Sequence, residues 1–130
     1  MIMDHVGYGT YRAATLNAQI AGASPVQLVL VLMNGLLDEM VRARAHIEHS
    51  RFEAKGHSIN KCIDMFAALT SSLDFELGGE AVIQLGRLYD YGTARLNQAG
   101  CSLDPTIVDE VIELVTTLRD AWQKVEDRTA

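Results

Sequence analysis

From Val26 to Ile47 apolar residues recur at Val26, Val29, Met33, Leu36, Met40, Ala43 and Ile47, in alternating steps of three and four. That spacing puts one stripe on one face of an α-helix, and it does not fit the period of two that a half-buried strand requires. A helix with an apolar stripe is stable in water only when another apolar surface covers the stripe. The chain supplies three more. The second is Ile59, Cys62, Phe66, Leu69 and Leu73. The third is Val82, Leu85, Tyr89, Gly92, Leu96 and Ala99, and the fourth is Val108, Val111, Val115, Leu118, Trp122 and Val125. Four such stripes joined by short connections predict an all-α, antiparallel four-helix bundle.

Local signals set the expected boundaries. Ser24-Pro25-Val26-Gln27 combines a capping serine, a proline at the first helical position and a glutamine able to close a capping box. The run Leu28 to Met33 taken alone would also suit a buried strand, but the cap and the continuing stripe decide for a helix ending near His49 or Ser50. The second helix is expected to start between Arg51 and Ser58 and to end near Phe75, with Gly78 taking the left-handed conformation after it. The third is expected from about Glu80 to Ala99, closed by Gly100, and Asp104-Pro105 opens the fourth. Gly35, Gly86 and Gly92 fall inside helices, where their expected role is close approach of a neighbouring helix. The four helices thus occupy residues 24–126 of a single domain spanning 1–130. Residues 1–23 read as an N-terminal arm, with a short extra helix allowed from Tyr11 to Ile20, docking on the bundle.

Several function classes are disfavoured. A net charge of −6 argues against nucleic-acid binding, which needs clustered Lys and Arg. Cys62 and Cys101 are far apart and fit a reducing compartment better than a disulfide framework. The start of the chain lacks the pattern of a signal peptide, and the longest apolar run is far short of the roughly 20 residues of a membrane span. A cytoplasmic protein without membrane insertion is expected. No nucleophile lies near a base, so no catalytic residue, cofactor or metal is assigned. A di-iron bundle needs Glu-x-x-His on two helices. The chain has no such motif, and His46 and His49 read as solvated. His57 is a candidate phosphate acceptor for a histidine phosphotransfer bundle, but Ser58-Ile59-Asn60-Lys61 lacks the usual surroundings.

More apolar residues are present than one core needs. Leu28, Leu30, Leu32 and Leu37 are left over on the first helix, and Ile83, Leu88 and Tyr91 on the third. The surplus implies a groove for a partner or a structural homodimer, unless the arm covers it.

The motif order narrows this choice. Leu73-Asp74 precedes Gly78-Gly79-Glu80, and Leu85-x-x-Leu88-Tyr89-Asp90-Tyr91 follows. Ala23-Ser24-Pro25-x-x-Leu28 opens the first helix, while Glu110-Val111-Ile112 and Leu118-Arg119-x-x-Trp122 mark the last. A tyrosine, Tyr8 or Tyr11, precedes the Ala-Ser-Pro. Together these resemble the FliS family of flagellin-specific secretion chaperones. One departure is Leu32-Met33-Asn34-Gly35, where family members often have Leu-Tyr-Asp-Gly. The resemblance implies a chaperone that binds the disordered C-terminal segment of flagellin in the cytoplasm, prevents premature polymerisation and meets components of the export gate. It also implies an N-terminal arm over part of the client site. Expected flagellin contacts are Tyr8, Tyr11, Leu28, Leu32, Leu36, Leu85, Leu88, Tyr89 and Tyr91.

Overall fold

The Ser24 hydroxyl accepts a hydrogen bond from the Gln27 amide at 3.1 Å, and the Gln27 side chain accepts one from the Ser24 amide at 2.9 Å. This closed capping box, with Pro25 at the first position, launches α1, Pro25–Glu48. The structure is a computed structural model that describes residues 22–73 and 78–129. The arm, including Tyr8 and Tyr11, and the segment 74–77 lie outside the described residues. Three more helices follow: α2, Phe52–Ser71; α3, Gly79–Ser102; and α4, Pro105–Thr129. Asp104 opens α4 as expected, its carboxylate accepting from the Thr106 amide at 2.9 Å and the Thr106 hydroxyl at 2.6 Å.

Three boundary expectations are corrected. The left-handed glycine is Gly79, with φ of 60°, while Gly78 has φ of −84°. The Gly-Gly pair therefore shapes the entry to α3. Helix α2 already stops at Ser71, where Ser72 donates its hydroxyl to the Leu69 carbonyl at 2.6 Å. Helix α3 also runs through Gly100 and ends one turn from Ala99, at Leu103, which takes the left-handed turn at φ 57°. Gly100 is a packing position instead. A Cβ there would stand 3.8 Å from the Ile59 side chain, and its carbonyl accepts from Lys55 Nζ at 2.8 Å.

Each helix packs beside its neighbours in sequence, and α1 also packs beside α4, which makes an up-down antiparallel four-helix arrangement. The stripes meet in one core. Met33, Leu36, Met40, Cys62, Leu69, Leu96, Val108 and Val111 are sealed from solvent. Leu73, Leu85, Leu118 and Trp122 are half-buried against it. Val125 departs from expectation and is 37% exposed. A seam of strict heptad spacing drifts by roughly 20° per heptad on a straight helix. By the last turns of α4 it is Glu126 that turns toward α1, accepting from Gln27 Nε2 at 2.9 Å.

Two contacts fix how α2 sits between α1 and α3. Glu39 is buried to 1% exposure, where Ser58 donates to it at 2.8 Å and Arg42 approaches it at 3.3 Å. On the other side of α2, the Phe66 ring lies over Gly92. A Cβ at Gly92 would stand 2.6 Å from Phe66 Cζ, so the expected close helix approach is present there.

Gly92→Ala is expected to destabilise the fold by about 1–3 kcal/mol through overpacking, although alanine favours a helix by about 1 kcal/mol over glycine. Phe66→Ala, which empties a position with 1% exposure, is expected to cost about 3–5 kcal/mol, and Trp122→Ala less than that because Trp122 is only half-buried. Urea denaturation followed by circular dichroism checks the order. A stabilised Gly92→Ala would mean that the ring has room to swing aside.

Candidate partner-binding site

The starts of α1 and α3 and the ends of α2 and α4 meet at one end of the bundle around a cavity of about 440 Å³. Ala23, Ser24, Pro25, Val26, Leu28 and Val29 line it from the entry and first turns of α1. Ser72 and Leu73 come from the end of α2, Val82, Leu85 and Tyr89 from α3, and Trp122 from α4. The volume falls within the range of roughly 300–1,000 Å³ common for ligand sites. None of these lining residues carries a charge. The Tyr89 hydroxyl has its pKa pushed up by burial, which the Trp122 indole beside it partly offsets, so it stays neutral. The described lining is apolar apart from the Ser24, Ser72 and Tyr89 hydroxyls and the Trp122 indole.

The expected contact residues are distributed unevenly. Leu28, Leu85 and Tyr89 line the cavity. Leu36 is wholly buried in the core, with Leu32 packed against it. Leu88 is half-buried on α3, and Tyr91 is 50% exposed on its outer face. Tyr8 and Tyr11 lie outside the described residues. Val26, Val29, Leu73, Val82 and Trp122 line the cavity too, although the sequence pattern marks them only as seam. The signal for them was their position at the ends of stripes, where no further layer of the bundle covers them.

Polar ties lace the surface of the bundle along its length. Helix α4 is held to α1 by Gln27–Glu126, by Arg119 donating to Asn34 at 3.0 Å, and by Arg44 donating to Asp109 at 2.5 and 3.0 Å. Between α3 and α4, Arg95 donates to Glu110 at 2.9 Å and the Tyr91 hydroxyl donates to the same carboxylate. Elsewhere, burial and then Glu39 push the Cys62 thiol up to about 12, so it is inert, while Cys101 is exposed. His46 Nδ1 accepts from Arg51 Nε at 2.9 Å, and His57 sits 3.9 Å from Glu53. Among the described residues no group of three or more His, Cys, Asp or Glu side chains is gathered to hold a metal, and no helix is long and apolar enough to cross a membrane.

A family model described as "Flagellar protein FliS" matches residues 7–129, which is nearly the whole chain and includes every element around the cavity. The chain belongs to the FliS family. Its relatives include the "Flagellar secretion chaperone FliSB" of Pseudomonas aeruginosa, 36% identical over 88% of this chain and 91% of the relative. The "Flagellar secretion chaperone FliS" of Salmonella typhimurium is 33% identical over 95% of this chain and 93% of the relative. That of Vibrio cholerae is 30% identical over 88% and 85%. Such coverage from both sides means that the likeness extends over the whole bundle. In this chain the four seams stop short of filling one end, and the phosphotransfer reading of His57 is not favoured.

The acid limb of stability follows from the ties. Arg95, and then Tyr91, hold the Glu110 carboxyl below its ordinary 4.5, and the Thr106 hydroxyl and amide hold Asp104 below 3.8. Both pKa values are lowered on folding, so the stabilisation is present above the unfolded values and is lost as pH falls through them. Thermal midpoints are expected to be level from neutral pH down to about 5 and then to fall. Glu110→Gln should make that fall shallower by a small amount, since these exposed groups are screened by solvent. A steeper fall in Glu110→Gln would contradict the assignment.

Proposed function

We propose that this chain is a flagellar secretion chaperone whose uncharged cavity receives apolar side chains from the C-terminal segment of flagellin. The cavity of about 440 Å³, in a chain of the FliS family, is the observation that supports the reading. A segment destined for a filament must carry an apolar face, and in the cytoplasm that face polymerises unless it is covered. A bundle that offers an apolar receptacle lets the segment order on binding, at a cost of roughly 2–5 kcal/mol from the gross interaction energy. That moderate net affinity suits a client that must be handed on to the export gate. The chain acts by binding and catalyses no reaction. Leu28, Leu85 and Tyr89 are the inner contacts in this reading, and Leu32, Leu36, Leu88 and Tyr91 have no place in the cavity lining.

Titration calorimetry with full-length flagellin and with flagellin lacking its C-terminal segment tests the proposal. Binding is expected only for the former, with a negative heat-capacity change and a gain of helix in the segment. Val82→Asp puts a carboxylate in the wall of the cavity and is expected to weaken binding at least about tenfold, roughly 1.4 kcal/mol, while leaving the fold intact. Equal affinity for the truncated flagellin would sink the proposal.

The N-terminal arm belongs to the same reading. Ala23 and Ser24 line the cavity, so the chain ahead of them departs from its rim. The arm, with Tyr8 and Tyr11, is proposed to compete with the client for the opening, which lowers the apparent affinity by the fraction of time it occupies the site. Deleting residues 1–12 should then speed client association. An unchanged association rate would reduce the arm to a passive terminus.

A further inference from the structure

Val82 and Leu85 belong to the core-facing stripe of α3, yet they are only half-buried and line the cavity, with Leu85 alone of the two packed against the core. Farther along the same stripe, Leu96 and Ala99 are at 0% exposure. From Gly79 to Leu88 the one buried residue is Gly86, which contributes no side chain. Polar contacts follow the same division. Among the described residues, the hydrogen bond in this stretch runs within the helix, from Gln84 to Glu80 at 3.0 Å. The first side chain of α3 to meet a polar group of another helix is Tyr89, beside the Trp122 indole. Beyond it, Tyr91 and Arg95 hold Glu110 of α4, and Gly100 accepts from Lys55 of α2. The tight contact of α3 with α2, Gly92 under the Phe66 ring, lies at the junction of the two halves.

The other walls are better anchored. The start of α1 has its capping box, its tie to Glu126 and the buried side chains of Val29 and Leu30. The end of α4 is held to α1 by Gln27 and Asn34, and the end of α2 buries Leu69 completely. Segments with few buried apolar contacts open locally at a lower free energy than the rest of a fold.

We propose that Gly79–Leu88 of α3 is the movable wall of the cavity, pivoting at the Gly92–Phe66 contact while the second half of α3 stays clamped to α2 and α4. Its outward swing widens the cavity for a client side chain, and its return closes on that side chain. The role in client access rests on the reading of the cavity as the client's site; the separate opening of the wall does not.

Hydrogen exchange of the full chain, read by mass spectrometry, tests this. The first amides of any helix lack an intrahelical acceptor, so the informative ones are residues 83–88. In the free protein they are expected to exchange at least about tenfold faster than residues 93–99. The equivalent positions in α1, residues 29–34, should be as slow as 93–99. Adding a peptide of flagellin's C-terminal segment should slow 83–88 at least about tenfold and leave 93–99 unchanged. Uniform protection along α3 in the free protein overturns the movable wall, even if the peptide binds. Equally fast exchange at 29–34 also overturns it, since that is ordinary fraying of helix ends. A gradient that peptide binding leaves untouched overturns the role in access. If no peptide binds, the proposed function fails, and the free-state gradient still decides whether the wall moves.

Discussion

The distance between α2 and α3 is set where the Phe66 ring lies over Gly92. No side chain other than glycine's hydrogen fits beneath that ring without displacing it. On one side of this point, small residues continue the close approach: Ala99 is sealed, and Gly100 faces Ile59 and takes Lys55 on its carbonyl. On the other side the stripe of α3 carries Tyr89, Leu85 and Val82, larger residues that stand around open space. Side-chain size therefore grades the bundle from a filled end to a hollow one.

The buried Glu39 plays a comparable part on the other face of α2. A carboxylate at 1% exposure is costly unless its oxygens are satisfied, and here Ser58 and Arg42 do so. Sliding α2 along α1 by one turn would separate Ser58 from Glu39 and cost the carboxylate one of its buried hydrogen bonds. The pair thereby penalises wrong registers of this hairpin more than it strengthens the right one. With the register of α1 and α2 settled, Ser72 and Leu73 arrive beside Val26 and Val29 at the rim of the cavity.

Much of this was legible in the sequence. The three-and-four spacing located all four helices, because burial of a stripe is a strong and repetitive constraint. The caps at Ser24 and Asp104 located two starts because they combine a side-chain acceptor with proline. Glycines were less readable. Gly79 takes the left-handed turn in place of its neighbour Gly78, and Gly100 serves packing while Leu103 makes the turn. A glycine's small size and its backbone freedom leave the same letter in the sequence. Periodicity could not separate a seam residue that is covered from one that only faces inward, so Val125 was read as core and Val82 and Trp122 were not read as cavity wall. Where the stripes end relative to one another is a three-dimensional fact. The surplus of apolar residues points to Leu28, and the motif shared with the family points to Leu85 and Tyr89 as well.

The lack of charge among the described residues of the cavity wall has a consequence for what the site can discriminate. Apolar burial is non-directional and takes almost any side chain of suitable volume. Under the proposed function, a receptacle lined by valine, leucine, proline and aromatic groups therefore reads the spacing of greasy residues along a client and little else. A client gene could diverge widely at its polar positions without losing its escort, so long as the apolar rhythm persisted. Attachment of this kind is also nearly indifferent to ionic strength, so it would hold through swings in salt that loosen complexes held together by ion pairs.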